Sequence, residues 1–124
     1  MVLKVSDLEI FKLSEDLSDN LSQIVLKWNI FQKDTMGKQL IRAVDSISAN
    51  IAEGHGRFHY KDRINFCYYA RGSLEEIICW MNKARRRELM NSEKEDVWNI
   101  IKILPKKQNA YINSIKNAKN EKNT

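Results

Sequence analysis

Apolar residues recur at intervals of three and four along four separate stretches of this chain. These stretches span about Asp7 to Phe31, Lys38 to Glu53, Lys61 to Glu88, and Ser92 to about residue 116. At 100° per residue, such spacing places the apolar side chains on one face of a helix. In the first stretch the stripe consists of Ile10, Leu13, Leu17, Leu21, Ile24, Trp28 and Phe31. The pattern predicts an all-α protein of four amphipathic helices.

The chain contains few residues that interrupt helices. Four glycines and one proline among 124 residues argue against a turn-rich β-sandwich or barrel. Short connections between the helices predict an up-down-up-down four-helix bundle over residues 1–116. The polar segment 117–124 is expected to be a disordered tail. No apolar run approaches the ~18 residues of a membrane span, and no signal peptide is recognisable. We therefore expect a cytoplasmic protein with no membrane partner.

Several residues predict where the helices begin and end. Ser6 with Glu9, and Ser92 with Glu95, have the spacing of capping boxes. Loops are expected at residues 32–37 and 54–60, with Gly54 as a left-handed cap that ends the second helix.

Two residues of types that disfavour helices lie inside the predicted helices. Pro105 is expected to kink the fourth helix. Gly72 lies in the middle of the third helix, where glycine costs ~1 kcal/mol relative to alanine. We therefore expect another backbone to approach closely at Gly72.

Two segments, Ser46 to Arg57 and Ala70 to Glu76, resemble a pair of motifs found together in one family. In these motifs, and in helix order and length, the chain resembles the four-helix bundle proteins encoded in intervening sequences of bacterial 23S rRNA genes. The resemblance implies a left-handed bundle that assembles into a ring-like homopentamer. It also implies similarity to the basic accessory proteins of diversity-generating retroelements, which bind nucleic acid and a reverse transcriptase. The motif residues given a structural role are Asn50, Glu53, Gly54, Arg57, Gly72, Ser73 and Glu76.

The net charge of +5 suits a negatively charged partner, with nucleic acid as the first candidate. The densest basic block lies near the end of the third predicted helix. Basic residues in a last helical turn also complement the helix dipole without any ligand, so both interpretations stay open. The candidate nucleic-acid-binding residues are Lys83, Arg85, Arg86 and Arg87, together with Arg57, Arg63 and Arg71.

Aromatic residues offer two further interpretations. Tyr60, Tyr68 and Tyr69 lie near arginines and could stack on single-stranded bases, but packing within the bundle or at an interface is the favoured interpretation. Trp80 and Trp98 lie off the apolar stripes, which predicts that they mark a contact surface between copies.

Little in the sequence points to catalysis or to a metal. Glu53, His55 and His59 form the one cluster that resembles such a site, and glycines interrupt the helix between the histidines. The chain has no Cys-x-x-Cys, no paired glutamate-rich helices and no glycine-rich phosphate loop. Cys67 and Cys79 would lie ~18 Å apart on one helix, too far for a disulfide. We expect no enzymatic activity, no cofactor and no metal.

Asn50, Glu53 and Arg57 are expected to form a polar clasp that sets the connection between the second and third helices. Arg57 follows Glu53 by four residues across a turn, so the two side chains can pair. The alternative is that these three residues bind a ligand. For the whole chain we expect a non-enzymatic homo-oligomer that binds RNA or DNA through phosphate contacts. The alternative is a protein-interaction scaffold with no nucleic-acid ligand, and salt dependence separates the two.

Overall fold

The computed structural model describes residues 3–90 and 96–122, and within these ranges it contains helices and no strands. The four long helices are α1 (Glu9–Leu26), α2 (Lys38–His55), α3 (Tyr60–Arg86) and α4 (Asp96–Lys122). The predicted all-α fold with four helices is confirmed. Among the described residues, none of the helices carries an apolar stretch sufficient to cross a bilayer.

The helices form an up-down-up-down bundle around one main core. Each helix packs against its neighbour in sequence, and α1 also packs against α4. The apolar stripes meet along the axis of the bundle, as their spacing predicts. The largest fully buried side chains include Leu17, Leu21, Leu40, Ile47, Leu74, Ile77, Met81 and Leu104.

The connection between α1 and α2 differs from the prediction. α1 ends at Leu26 and not at Phe31. Asn29 then caps a new helical turn, because its Oδ1 accepts the backbone N–H of Gln32 at 2.9 Å. That turn, Ile30–Gln32, passes through a π-helical turn, Lys33–Gly37, directly into α2. The prediction of a loop at residues 32–37 is therefore wrong.

Gly54 does not end α2 as a left-handed cap. The helix continues through it to His55, and no glycine of the described chain has a positive φ. A Cβ atom at Gly54 would instead lie 2.8 Å from Phe66 Cβ. The glycine is thus required by the close approach of α3. The prediction of a close approach at Gly72 is wrong within the chain, because a Cβ atom at that position would have no neighbour within 4 Å.

The remaining ends of the helices also depart from prediction. The capping box at Ser6 and Glu9 does not form. A 3₁₀ turn, Val5–Asp7, occupies this segment, and α1 begins without a side-chain cap. The box predicted at Ser92 and Glu95 lies outside the described residues. α4 runs through Pro105 and on to Lys122, so the helix includes residues 117–122 of the predicted tail. A bend at Pro105 stays a prediction.

The end of α3 has a specific backbone geometry. Its last helical residue is Arg86, and Glu88 adopts a φ of 60°. The N–H groups of Glu88 and Leu89 donate to the carbonyls of Arg85 and Ala84 at 3.0 and 2.8 Å. This is the Schellman arrangement, with a glutamate where glycine is usual. The turn fixes the Leu89 carbonyl, which accepts the indole N–H of Trp28 at 3.1 Å.

Candidate nucleic-acid interface

The candidate basic residues are distributed along the whole length of α3 and do not form one site. α3 has 27 residues and is therefore ~40 Å long. Arg57 and Arg63 lie at its start and Arg71 lies in its middle. Lys83, Arg85, Arg86 and Arg87 lie at its end, and we call these four residues the basic cluster.

Two residues of the basic cluster lie over half-buried tryptophans. The Lys83 ammonium lies 5.0 Å from the centre of a Trp80 ring, and the Arg85 guanidinium lies 5.3 Å from that of Trp98. Both indoles pack against the core and are half-buried, so they are less exposed than the sequence predicts. Their role in a contact between copies stays a prediction. The three arginines are exposed, and none forms an ion pair with a described carboxylate.

The topology adds further positive charge at this end. α1 ends and α2 begins there, which brings Lys27, Lys33 and Lys38 to the same end as the basic cluster. Arg87 borders a cavity of about 290 Å³ that is also lined by Thr35 and Met36 of the π-helical turn, Gln39 of α2 and Trp80 of α3. Among the described residues, these seven cations outnumber the three carboxylates at the same end, Asp34, Glu88 and Asp96. The end of the bundle where α3 stops therefore has a net positive charge and a shallow recess.

At the opposite end, Arg57 and Arg63 are engaged within the chain. Arg57 pairs with Glu53 at 2.6 Å, and its guanidinium lies 4.9 Å from the centre of the Phe66 ring. Arg63 donates from Nε to the Arg57 carbonyl at 2.7 Å. The predicted pairing of Glu53 with Arg57 is thus present.

The clasp is otherwise built differently from the prediction. The amide of Asn50 donates to the Ser46 carbonyl at 2.8 Å, inside α2, and does not hold the loop. Arg63, which the sequence did not assign to the clasp, connects α3 to the loop instead. The contact of Arg63 with the loop depends on how closely α2 and α3 approach. The spacing of residues along the chain does not predict this contact.

The other predicted residues of α3 form hydrogen bonds within α3 or with the neighbouring helices. Arg71 donates to Asn109 Oδ1 of α4 at 3.2 Å. Ser73 donates to the Tyr69 carbonyl at 3.1 Å. Glu76 accepts from Arg42 of α2 and, at 3.1 Å, from the indole N–H of Trp80. These contacts link helices or stay within one helix.

The three tyrosines do not form one stacking platform. Tyr68 lies beside the cations of Arg71 and Lys116, at 4.9 and 5.5 Å from the ring centre. Tyr69 packs edge to face on Phe66. The most exposed aromatic ring is one that sequence reasoning missed, Phe58, with 89% of its surface exposed. Phe58 lies in a short polar loop and belongs to none of the apolar stripes, and this position in the sequence indicates an exposed ring.

The histidines and cysteines of the chain were the remaining candidates for a metal or redox site. His55 Nε2 lies 2.8 Å from the Leu3 carbonyl, and His59 is exposed. The described ranges contain no group of three or more potential ligands of the histidine, cysteine or carboxylate kind that could hold a metal. Cys67 and Cys79 are both free thiols. Burial raises the pKa of the Cys67 thiol to about 11.

Comparison with known families adds one finding. The family model described as 23S rRNA-intervening sequence protein matches residues 6–107. The match covers α1, α2, α3 and the first part of α4, including both motif segments. No curated protein matches the chain.

Proposed function

Because this chain belongs to the family of 23S rRNA-intervening sequence proteins, we propose that it is a non-enzymatic, homo-oligomeric helical bundle that binds RNA or DNA. The proposed binding surface is the basic cluster at the end of α3. The observation that carries the proposal is that Arg85, Arg86 and Arg87 are exposed and form no ion pair with described carboxylates. By contrast, Arg42 and Arg57 are each paired with a glutamate.

The alternative explanation of the basic cluster is that it caps the helix. The backbone already satisfies three of the carbonyl groups at this end of α3. Those of Lys83, Ala84 and Arg85 accept the N–H groups of Arg87, Leu89 and Glu88 at 2.8–3.0 Å. The guanidinium groups are therefore not needed as hydrogen-bond donors to these three carbonyls, and their effect on them is limited to the interaction with the helix dipole. This leaves their donors available to phosphate oxygens.

Oligomerisation is supported by an exposed apolar patch. Leu26, Ile30 and Phe31 are 62, 77 and 69% exposed at the corner between α1 and α2. We call these three residues the corner patch. Large apolar side chains that are exposed close together along the chain are typical of protein contact surfaces. The family resemblance implies five copies, and a ring of five would combine five basic clusters into one larger positive surface.

The test of nucleic-acid binding is a charge-matched pair of triple variants. The first replaces Arg85, Arg86 and Arg87 with glutamine. The control makes the same change at Lys12, Lys102 and Lys106, which are exposed along the sides of α1 and α4. Both variants carry three fewer positive charges than the wild type. Affinity for an RNA and a DNA duplex is measured by filter binding at several salt concentrations.

We expect the arginine variant to bind more weakly whatever the sequence of the duplex. The slope of log affinity against log salt should also fall by roughly one unit for each phosphate that the variant no longer binds. The control should keep most of the wild-type slope. Equal behaviour of the two variants would place the contacts elsewhere. No salt-dependent binding by the wild type would favour the scaffold alternative.

The test of assembly is light scattering of the wild type and of Ile30→Ser combined with Phe31→Ser. The wild type should have a mass that is a multiple of 14.6 kDa. The double variant should have a smaller mass and an unchanged helical circular dichroism spectrum, because both side chains are exposed. A monomeric wild type at micromolar concentration would contradict the homo-oligomer.

A further inference from the structure

Two adjoining cavities lie at the start of α3, at the opposite end from the basic cluster. One, of about 340 Å³, is lined by Phe58, His59, Tyr60 and Arg63. The other, of about 400 Å³, shares Tyr60 and Arg63 and includes His55 and Tyr111. Both volumes lie in the lower part of the range for small-ligand sites. We call the two cavities together the α3-entry site.

We propose that the α3-entry site binds an unstacked nucleotide of single-stranded RNA or DNA, with the base against Phe58 and its phosphate on Arg63. The inference rests on the proposed function, since it requires that the protein binds nucleic acid. It adds a second site, at a different place, that recognises a base and distinguishes a single strand from a duplex.

The frame of the α3-entry site is fixed by helix packing. Arg63 Nε donates to the Arg57 carbonyl, and Arg57 is in turn paired with Glu53. A Cβ at Gly54 would lie 3.2 Å from the Arg63 carbonyl, so α2 and α3 are in close contact beneath the site. Arg63, the proposed phosphate-binding residue, is therefore held by two packed helices, whereas Phe58 lies in the loop between them.

The smaller cavity combines an aromatic ring with a cation. Phe58 is almost fully exposed, and its ring meets His59 edge to face at 5.1 Å and 88°. A base can stack on such a ring whatever its identity. No described carboxylate forms an ion pair with Arg63. Its charge is therefore available to a phosphate beside the stacked base.

The larger cavity supplies polar groups for a second part of the nucleotide. His55 lines this cavity, and its Nε2 lies 2.8 Å from the Leu3 carbonyl. Tyr111 and Ser114 line the same cavity, together with apolar Leu8 and Ile115. A few polar groups that converge within an apolar wall are typical of ligand sites, whereas a flat contact between copies would not need them.

The test compares Phe58→Ala with Tyr69→Ala and with Phe58→Trp. Tyr69 is a matched control, because it is another exposed aromatic of the same region that lines neither cavity. The probes are an oligothymidylate of about eight nucleotides and a DNA duplex of the same length. Affinities are measured by isothermal titration calorimetry at two salt concentrations, and light scattering gives the mass of each variant.

Phe58→Ala should weaken binding of the single strand by about 5- to 150-fold. Phe58→Trp and Tyr69→Ala should bind it as the wild type does. Duplex affinity and the salt slope should stay unchanged, because no charge is removed.

Three results would overturn the inference. Unchanged single-strand affinity in Phe58→Ala would exclude stacking at Phe58 while leaving duplex binding at the basic cluster intact. A reduced mass of Phe58→Ala would show that the ring contacts a second copy. A wild type that binds the duplex but not the single strand would exclude the site, and one that binds neither would overturn the proposed function as well.

Discussion

Gly54 of α2 lies so close to Phe66 of α3 that a Cβ atom on the glycine would stand 2.8 Å from Phe66 Cβ. The carbonyl of Arg63 would lie 3.2 Å from the same atom. Neither neighbour is the flexible end of a long side chain, so neither can move without shifting α3. The contact makes residue size at position 54 a determinant of how α2 and α3 pack.

Gly54→Ala should therefore destabilise the protein although alanine is the better helix former. Overpacking of this kind costs ~1–3 kcal/mol, which exceeds the gain of up to ~1 kcal/mol from helix propensity. Urea unfolding monitored by circular dichroism measures the net change. Gly72→Ala is the control, since it meets no atom within 4 Å and should stabilise the fold by ~0.5–1 kcal/mol. If Gly72→Ala lowers the mass in light scattering, its face contacts a second copy.

Removing the pair of Glu53 and Arg57 should have a small effect. The two side chains are 53 and 45% exposed, so the ion pair contributes less than the ~1–3 kcal/mol expected of a buried clasp. We expect Glu53→Gln to cost less than ~1 kcal/mol. Arg57→Ala should cost more, because it also removes the contact with the Phe66 ring. Chemical denaturation of the two variants checks the order, and a larger destabilisation by Glu53→Gln would contradict it.

Gln108→Met should stabilise the bundle. Gln108 is 2% exposed, and both polar atoms of its amide lack partners among the described residues. The apolar space around it has no room for a water molecule. A buried unpaired amide costs ~1–3 kcal/mol, and methionine has a similar shape. A higher melting temperature is expected, with exposed Gln23→Met as a control that should change stability by less than ~0.5 kcal/mol. A lower melting temperature would mean that the amide has a partner.

Glu88→Gly should also stabilise the fold. Glu88 has a φ of 60° in the turn that ends α3, a conformation that costs an L-residue ~1 kcal/mol or more and that glycine adopts readily. We expect the free energy of unfolding to rise by ~1 kcal/mol. Glu75→Gly, at an exposed position inside α3, should instead lower it by ~1 kcal/mol. A decrease in both variants would show that the glutamate side chain matters at position 88.

Stability should fall at alkaline pH. Burial raises the pKa of the Cys67 thiol from 9.0 to about 11 and also raises the pKa of the Tyr111 hydroxyl. Between these pH values the unfolded chain has lost the thiol proton and the folded chain has kept it. The free energy of unfolding therefore decreases as pH rises from about 9 to about 11, by at most about 1.4 kcal/mol per pH unit for one group. Cys67→Ala should flatten this decrease, and exposed Cys79→Ala should not. Equal slopes in the two variants would assign the effect to other groups.

The core was predictable because helical periodicity alone determines which side chains face inward. Leu17, Leu21 and Leu74 are completely buried as their stripes require. The corner between α1 and α2 was not predictable from periodicity, because the spacing of Trp28 and Phe31 continues the apolar stripe beyond the end of α1 at Leu26. Asn29 followed three residues later by Gln32 has the spacing of a helix start, and that signal was present in the sequence.

The candidate site was predictable only where its contacts are local. Glu53 and Arg57 are four residues apart and do pair. The bond from Arg63 to the Arg57 carbonyl depends on the packing of α2 against α3, and so does the cavity beside Phe58. Spacing along one chain does not carry such information. The role of Gly54 was not predictable for the same reason, because its close neighbour Phe66 belongs to the next helix.

The positions of the three tryptophans make the two proposed sites optically distinct. Trp28 donates to the Leu89 carbonyl, while Trp80 and Trp98 each have a cation of the basic cluster over the ring. All three indoles thus lie at the end of the bundle where α3 stops. A phosphate that draws Lys83 or Arg85 away from the rings should change the intrinsic fluorescence of Trp80 and Trp98, so no label is needed. A nucleotide at the α3-entry site, where the rings are phenylalanine, histidine and tyrosine, should leave the tryptophan emission unchanged.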